Sequence, residues 1–281
     1  MSQERVVVIT GATAGIGRAA AMALARTDAM LVLVARDPGR AASAIAAIEG
    51  ATGNRAVSVV LGDLAKQTDV RRVAREINAR VSRIDVLLNN AGVVNLAYGT
   101  TADGIETTFA VNHLAYFMLT LLVRDALYAA PAARIVNVAS DAHRWGRLDF
   151  DDLGNARRYR AMRVYGQSKL CNILFTYELA RRLAGTTVVV NGVHPGAVAT
   201  RLGQNNGRVA TFLTKLLAPF FRTPEQGADT AVYVATAPEI AGVTGAYFAS
   251  RRAVRSSKLS YDLAAQQRLW DVSESLTGVR W

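Results

Sequence analysis

The sequence predicts a doubly wound α/β fold: one domain with a parallel sheet of about seven strands and helices on both faces. Three observations carry this. Short apolar, β-branched runs alternate along the chain with segments of helical periodicity. The runs are apolar at successive positions, as strands buried on both faces of a parallel sheet must be. No repeat, low-complexity stretch or Pro/Gly/Ser-rich seam divides the 281 residues, so residues 1–281 are expected to form one domain.

The first strand is RVVVIT, residues 5–10, and it begins so early that no signal peptide is expected before it. The turn after it, TGATAGIGRAA, carries Gly11, Thr13, Gly15, Ile16 and Gly17 and leads into a helix over 16–26. Glycine accepts positive φ and lets a ligand lie against the backbone. A helix start offers free N–H groups and the positive end of its dipole to a phosphate. A glycine triplet between first strand and first helix therefore marks a dinucleotide site and makes the fold Rossmann-type. Its spacing is G-x-x-x-G-x-G rather than G-x-G-x-x-G.

The second strand, MLVLVA (30–35), is followed by Arg36. An NAD site would place Asp or Glu about there to hold the ribose hydroxyls. A guanidinium grips a phosphate instead, so NADP(H) is expected over NAD(H), with Asp37 softening the local field. The alternative is that Arg36 is a solvated loop residue. A helix over 39–50 and a third strand, AVSVVL (56–61), lead to GDL. There Asp63 is expected to accept from an adenine amino group, with Leu64 beside the ring. After a helix over 66–81, the fourth strand IDVLL (84–88) ends in NNAG. Asn90, Ala91 and Gly92 would leave room for cofactor on the strand ends, although GDL or NNAG alone could be turn chemistry.

A helical segment over 103–129 holds Asn112, and the fifth strand, RIVNVA (134–139), is followed by Ser140. The next helix, over 164–184, carries Tyr165 and Lys169, one turn apart on the same side. A phenol ionises near pH 10, about three units from neutrality. A neighbouring ammonium, or the positive ring of an oxidised nicotinamide, lowers that value and makes the phenol a usable acid and base. The plainer alternatives are a surface Tyr–Lys contact, a helix-capping Ser140 and a buried Asn112 satisfied by backbone. The sixth strand, TVVVNGV (187–193), precedes HPGAVAT (194–200). Segment 203–223 is apolar with Arg208, Lys215 and Arg222 interleaved. It is expected as a lid over an apolar pocket, with a membrane-surface helix or a packed helix as alternatives. Loop 141–162 is expected to form the other wall. A strand in GAYFA (245–249) and a C-terminal helix near 261–276 complete the domain.

These motifs in this order resemble the short-chain dehydrogenase/reductase family over residues 5–250. SDAHRWGRLDFDDL (140–153), QSKLCNILFTYELARRL (167–183), HPGAVATRL (194–202) and the tail LWDVSESLTG (269–278) are most similar to its retinol dehydrogenase and WW-domain oxidoreductase branch. Protochlorophyllide reductase is a more distant relative. The resemblance implies that Tyr165 exchanges a proton with the substrate oxygen. Lys169 supports it and bonds the nicotinamide ribose, Ser140 holds the same oxygen, and Asn112 holds a relaying water. It also implies that Pro195, Gly196, Val198 and Thr200 close over the nicotinamide. The expected activity is NADP(H)-dependent interconversion of a lipophilic alcohol and its aldehyde or ketone, as a carbonyl reductase or alcohol dehydrogenase. A non-catalytic NADP(H)-sensing protein of the same fold is the alternative. Homo-oligomers are common in the family, so one is possible here.

Composition bounds the rest. Half the residues are apolar and a fifth charged, which suits a sizeable core and excludes disorder. Of the 33 basic residues four are Lys, and the Arg are scattered, so the net charge of +11 is not expected to mean a nucleic-acid partner. One cysteine, Cys171, excludes a disulfide framework, and His113, His143 and His194 lack ligand spacing, so no metal is expected. No uninterrupted apolar run reaches the roughly 18 residues of a membrane span; LAYFMLTLLV stops at Arg124. Many members of the resembled branch carry an N-terminal anchor, whereas this sequence starts almost at its first strand, so a soluble, cytoplasmic protein is expected.

Overall fold

The computed structural model describes residues 5–198 and 222–281. Seven parallel strands form as expected: β1 (Val6–Thr10), β2 (Met30–Ala35), β3 (Val57–Leu61), β4 (Val86–Asn89), β5 (Arg134–Val138), β6 (Val189–His194) and β7 (Tyr247–Ala249). They lie in the order β3-β2-β1-β4-β5-β6-β7. An eighth strand, β8 (Arg252–Ala253), pairs antiparallel to β7, which corrects the expected count of about seven. Two exposed residues beside an Arg run carry no apolar alternation, so nothing in the sequence marked them.

Helices in chain order are α1 (Gly15–Ala25), α2 (Pro38–Thr52), α3 (Gln67–Arg80), α4 (Thr107–Phe109), α5 (Ala115–Leu122), α6 (Arg124–Tyr128), α7 (Ala161–Arg182), α8 (Pro224–Thr236) and α9 (Leu263–Thr277). Side chains alternate across each strand, so β1 serves two cores at once. Val7 and Ile9 pack with Leu24, Ile48 and Ala231 of α1, α2 and α8. Val6 and Val8 pack on the opposite face with Val73, Phe117, Phe175 and Trp270 of α3, α5, α7 and α9.

The expected helix over 103–129 is not continuous. It starts at Thr107, where the Glu106 carboxylate accepts the N–H groups of Thr108 and Phe109. Ala110–Leu114 then forms a π-helical turn holding Asn112, and Val123 separates α5 from α6. Residues 108–121 are all buried, so the segment has no one-sided apolar stripe for the extra residue to shift, which hides the turn in the sequence. A buried amide ladder ties the middle of the molecule together. Asn89 Nδ2 donates to Thr120 Oγ1 and Asn137 Oδ1, and Asn137 Nδ2 donates to Thr176 Oγ1. These bonds join α5, β4, β5 and α7. Strand order reverses between β1 and β4, which opens a crevice at the strand ends, where ligands bind in open α/β sheets.

Candidate active site

A cleft of about 830 Å³ occupies that crevice. Gly11, Thr13, Gly15, Ile16 and Gly17 form its floor. Gly11 and Gly15 have φ of 66° and 51°, a region costly for residues with a Cβ. Gly17 is needed for space: a Cβ there would lie 2.3 Å from the Gly11 carbonyl oxygen and 2.4 Å from Asn90 Nδ2. Asn90 Nδ2 donates to the Thr10 and Gly11 carbonyls, while Thr10 Oγ1 accepts from the Asn90 and Ala91 amides. The NNAG segment thus fastens the glycine turn as well as lining the cleft. Ala14, the residue just before α1, supplies no side-chain cap, so the first amides of the helix face the cleft without one. These donors and the bare backbone fit a dinucleotide diphosphate.

At one end of the cleft, Arg36 lies exposed and Arg40 joins it. The sequence reading passed over Arg40; its place four residues on, in the first turn of α2, was the available signal. Asp37 caps α2 by accepting the Arg40 amide at 2.8 Å, so part of its charge is held by the helix start. Asp63 and Leu64 also line this end, and Asp63 Oδ1 accepts from the Ala65 amide.

The other end gathers Ser140, Tyr165 and Lys169. Lys169 is 2 % exposed, its Nζ donates to the Val138 carbonyl at 2.9 Å, and it stands 5.7 Å from the centroid of the Tyr165 ring. Ser140 Oγ accepts the Ala142 amide, capping the 3₁₀ turn Asp141–Trp145, and it also faces the cleft. Capping the turn and facing the cleft are therefore compatible for this serine. Asn112 lies just behind the cleft wall: its Oδ1 accepts from the Val93 amide and its Nδ2 donates to the Val93 carbonyl and Ser168 Oγ. A Cβ on Gly92 would lie 3.5 Å from Asn112 Oδ1 and 3.7 Å from Lys169 Nζ, so the three groups converge.

The charge balance differs from the expectation of a phenol made acidic by its amine. Burial pushes the Tyr165 hydroxyl up to about 12, with a hydrogen bond from Ser140 opposing it. Burial likewise brings the Lys169 ammonium down to about 7. Loss of solvent outweighs the Ser140 bond on the phenol and acts alone on the amine, so around neutral pH the phenol keeps its proton while the amine is near its own midpoint.

Pro195, Gly196 and Val198 line the cleft, whereas Thr200 and residues 203–221 of the expected lid lie outside the described residues. The chain re-emerges at Arg222, whose amide donates to the Ala197 carbonyl. Loop 141–162 does form a wall, through Ala142, the 57 %-exposed Trp145 and Met162. The sequence reading did not single out Trp145 or Met162, since an isolated large apolar residue in a loop carries no pattern.

A parallel sheet in this order, with a glycine turn at its reversal point, defines a Rossmann-type nucleotide-binding α/β protein. The family profile for short chain dehydrogenase matches residues 5–210. The sequence is 40 % identical to retinol dehydrogenase 12 of Mus musculus over 277 residues, covering 99 % of this chain and 87 % of that protein. An uncharacterised protein from Mycobacterium paratuberculosis, 33 % identical, superposes with a TM-score of 0.80 over 98 % of this chain and 94 % of its own. Pseudomonas aeruginosa RhlG in an active-site complex with NADP is 26 % identical, with a TM-score of 0.68 over 87 % of this chain and 93 % of its own. The chain belongs to the short-chain dehydrogenase/reductase family, within its retinol dehydrogenase branch, and is an oxidoreductase of the kind that uses a nicotinamide cofactor. Among the described residues no helix is long and apolar enough to cross a membrane.

Proposed function

We propose that this protein is an NADP(H)-dependent oxidoreductase that interconverts a lipophilic alcohol with its aldehyde or ketone. The observation that carries the reading is the polarity of the cleft: two guanidiniums at one end, and a serine, a phenol and a buried amine at the other. Bound along the cleft, the cofactor supplies or takes up hydride. Arg36 and Arg40 hold its adenosine-side phosphate, and the first amides of α1 hold the diphosphate. Tyr165 transfers its hydroxyl proton to the carbonyl oxygen as that oxygen gains negative charge, and takes it back in oxidation. Ser140 donates a hydrogen bond to the same oxygen and fixes its position. Lys169, its Nζ 5.7 Å from the centroid of the Tyr165 ring, supports the phenolate, and Asn112 orders the backbone at Val93. Pro195, Gly196 and Val198 bound the reaction end of the cleft.

The lipophilic substrate is supported by Trp145 and Met162, both more than half exposed on the wall beside Tyr165. Forty per cent identity to a retinol dehydrogenase makes retinoids one class to test. The experiment follows NADPH oxidation against a panel of hydrophobic aldehydes and ketones, retinal among them. Tyr165→Phe is expected to lower turnover by about a hundredfold or more, the scale of a lost general acid. NADPH binding should stay near that of the parent. Undiminished turnover by the Phe variant would remove Tyr165 as proton donor.

A further inference from the structure

His143 lies directly behind the reaction end of the cleft and is fully buried. Its Nδ1 is 2.7 Å from the Ser140 carbonyl oxygen, and its Nε2 is 2.9 Å from the Ser257 amide nitrogen. Those two partners decide the tautomer. A carbonyl oxygen only accepts, so Nδ1 must carry the hydrogen. A backbone N–H only donates, so Nε2 must be bare. The imidazole is therefore neutral and pinned at both nitrogens, and burial favours that state by pulling its ionisation below the usual histidine range. The Tyr247 ring closes one side edge-on at 5.1 Å, and Tyr247 in turn donates to Asp141 Oδ1. The segment that holds Nε2 is itself anchored, because Ser256 Oγ bonds both the Tyr177 hydroxyl and Ser260 Oγ.

We propose that His143 is a positioning residue for the reaction: a neutral strut that spans from the carbonyl of Ser140 to the C-terminal segment and sets where the Ser140 hydroxyl meets the substrate oxygen. Ser140 sits at the junction of β5 and a five-residue 3₁₀ turn, and its carbonyl receives both the backbone amide and the side chain of His143. The amide bond holds the turn; the imidazole bond ties that turn to residues more than a hundred positions away. This role rests on the oxidoreductase reading above, since it acts through Ser140.

Two substitutions separate the ends of the strut. His143→Asn keeps a donor at the place of Nδ1, and His143→Gln keeps an acceptor at the place of Nε2. Steady-state kinetics with NADPH and the best aldehyde of the panel, and NADPH binding by fluorescence titration, are measured for both and for His143→Phe. All three variants are expected to lose about ten- to a hundredfold in kcat, the scale of a small misplacement at a reacting centre, because each lets go of at least one end of the strut. NADPH affinity should hold within about twofold. Parental kcat in the Asn or the Gln variant would show that one end suffices and overturn the strut, and loss of NADPH affinity in step with kcat would overturn it in favour of general packing. Tyr165→Phe is run beside them: if it turns over normally Tyr165 is not the proton donor, and if the parent turns over no member of the panel the oxidoreductase reading fails. An inactive Tyr165→Phe with fully active His143 variants instead rejects the strut alone.

Discussion

At the scale of single residues, the buried amine of Lys169 sets the largest conflict between stability and use. Its ionisation falls from 10.5 to about 7 because the folded protein strips water from it. The unfolded chain therefore binds more protons between about pH 7 and pH 10.5, so this group makes stability rise with pH through that window. Below it the burden is fully present. Lys169→Met removes the charge, keeps most of the volume, and leaves the Val138 carbonyl with its bond from Asn172. The variant is expected to gain stability over the parent at pH 7 and to lose that advantage by pH 10, as read from urea unfolding at each pH. It should also be catalytically inert. An advantage that does not change with pH would show that Lys169 is protonated normally in the folded state. The phosphate end allows a second test at this scale. Arg36→Asp is expected to weaken NADPH by about ten- to a hundredfold, the worth of a charge-assisted hydrogen bond, with little effect on NADH. Isothermal titration with both cofactors measures the ratio, and an unchanged ratio would leave the phosphate to Arg40 alone.

At the scale of elements, the wall of the cleft exists because two glycines let a loop touch a helix. A Cβ on Gly166 would lie 2.7 Å from the Trp145 ring and 2.8 Å from the Ala142 carbonyl oxygen. A Cβ on Gly146 would lie 2.5 Å from the Gly166 carbonyl oxygen. The 3₁₀ turn that begins at Ser140 thus rests on α7 one residue beyond Tyr165. Gly166→Ala is expected to push the turn away, cost about 1–3 kcal/mol as overpacking does, and lower kcat more than KM. Thermal melting and steady-state kinetics check it, and a variant with parental melting temperature and kcat would mean that the turn adjusts freely. This contact also shows where reading the sequence runs out. Strands β1 to β7 announce themselves by runs such as VVVIT and MLVLVA, and the strand-end order brings Gly11, Asn90, Ser140 and Tyr165 to one crevice. The π turn around Asn112, the Gly146–Gly166 contact, β8 and the role of Trp145 depend on which distant segments meet. No local periodicity encodes that. The burial that raises the Tyr165 phenol is not legible for the same reason: spacing shows that an amine is near, but not how much water both groups have lost.

At the scale of the whole molecule, the C-terminal helix is part of the core rather than a surface appendage. Trp270 of α9 is 2 % exposed, meets Phe117 edge-on at 5.0 Å, stacks on Phe175 at 5.9 Å, and is covered by the Arg182 guanidinium at 4.1 Å. The same helix reaches the reaction centre from behind. Ser273 Oγ donates to the Leu269 carbonyl, so its remaining bond at 2.9 Å to His113 Nε2 has the imidazole as donor. Burial brings His113 down to about 3, so it stays neutral and this tie from α9 to the π turn beside Asn112 persists at physiological pH. Trp270→Ala should then destabilise the entire domain by about 3–5 kcal/mol, as large buried aromatic truncations do. Because Trp270 contacts α5 and α7 together, the loss should appear in one cooperative transition seen identically by circular dichroism and by loss of turnover. Two separated transitions, or a change below about 1 kcal/mol where surface substitutions fall, would mean that α9 docks on a domain already complete without it.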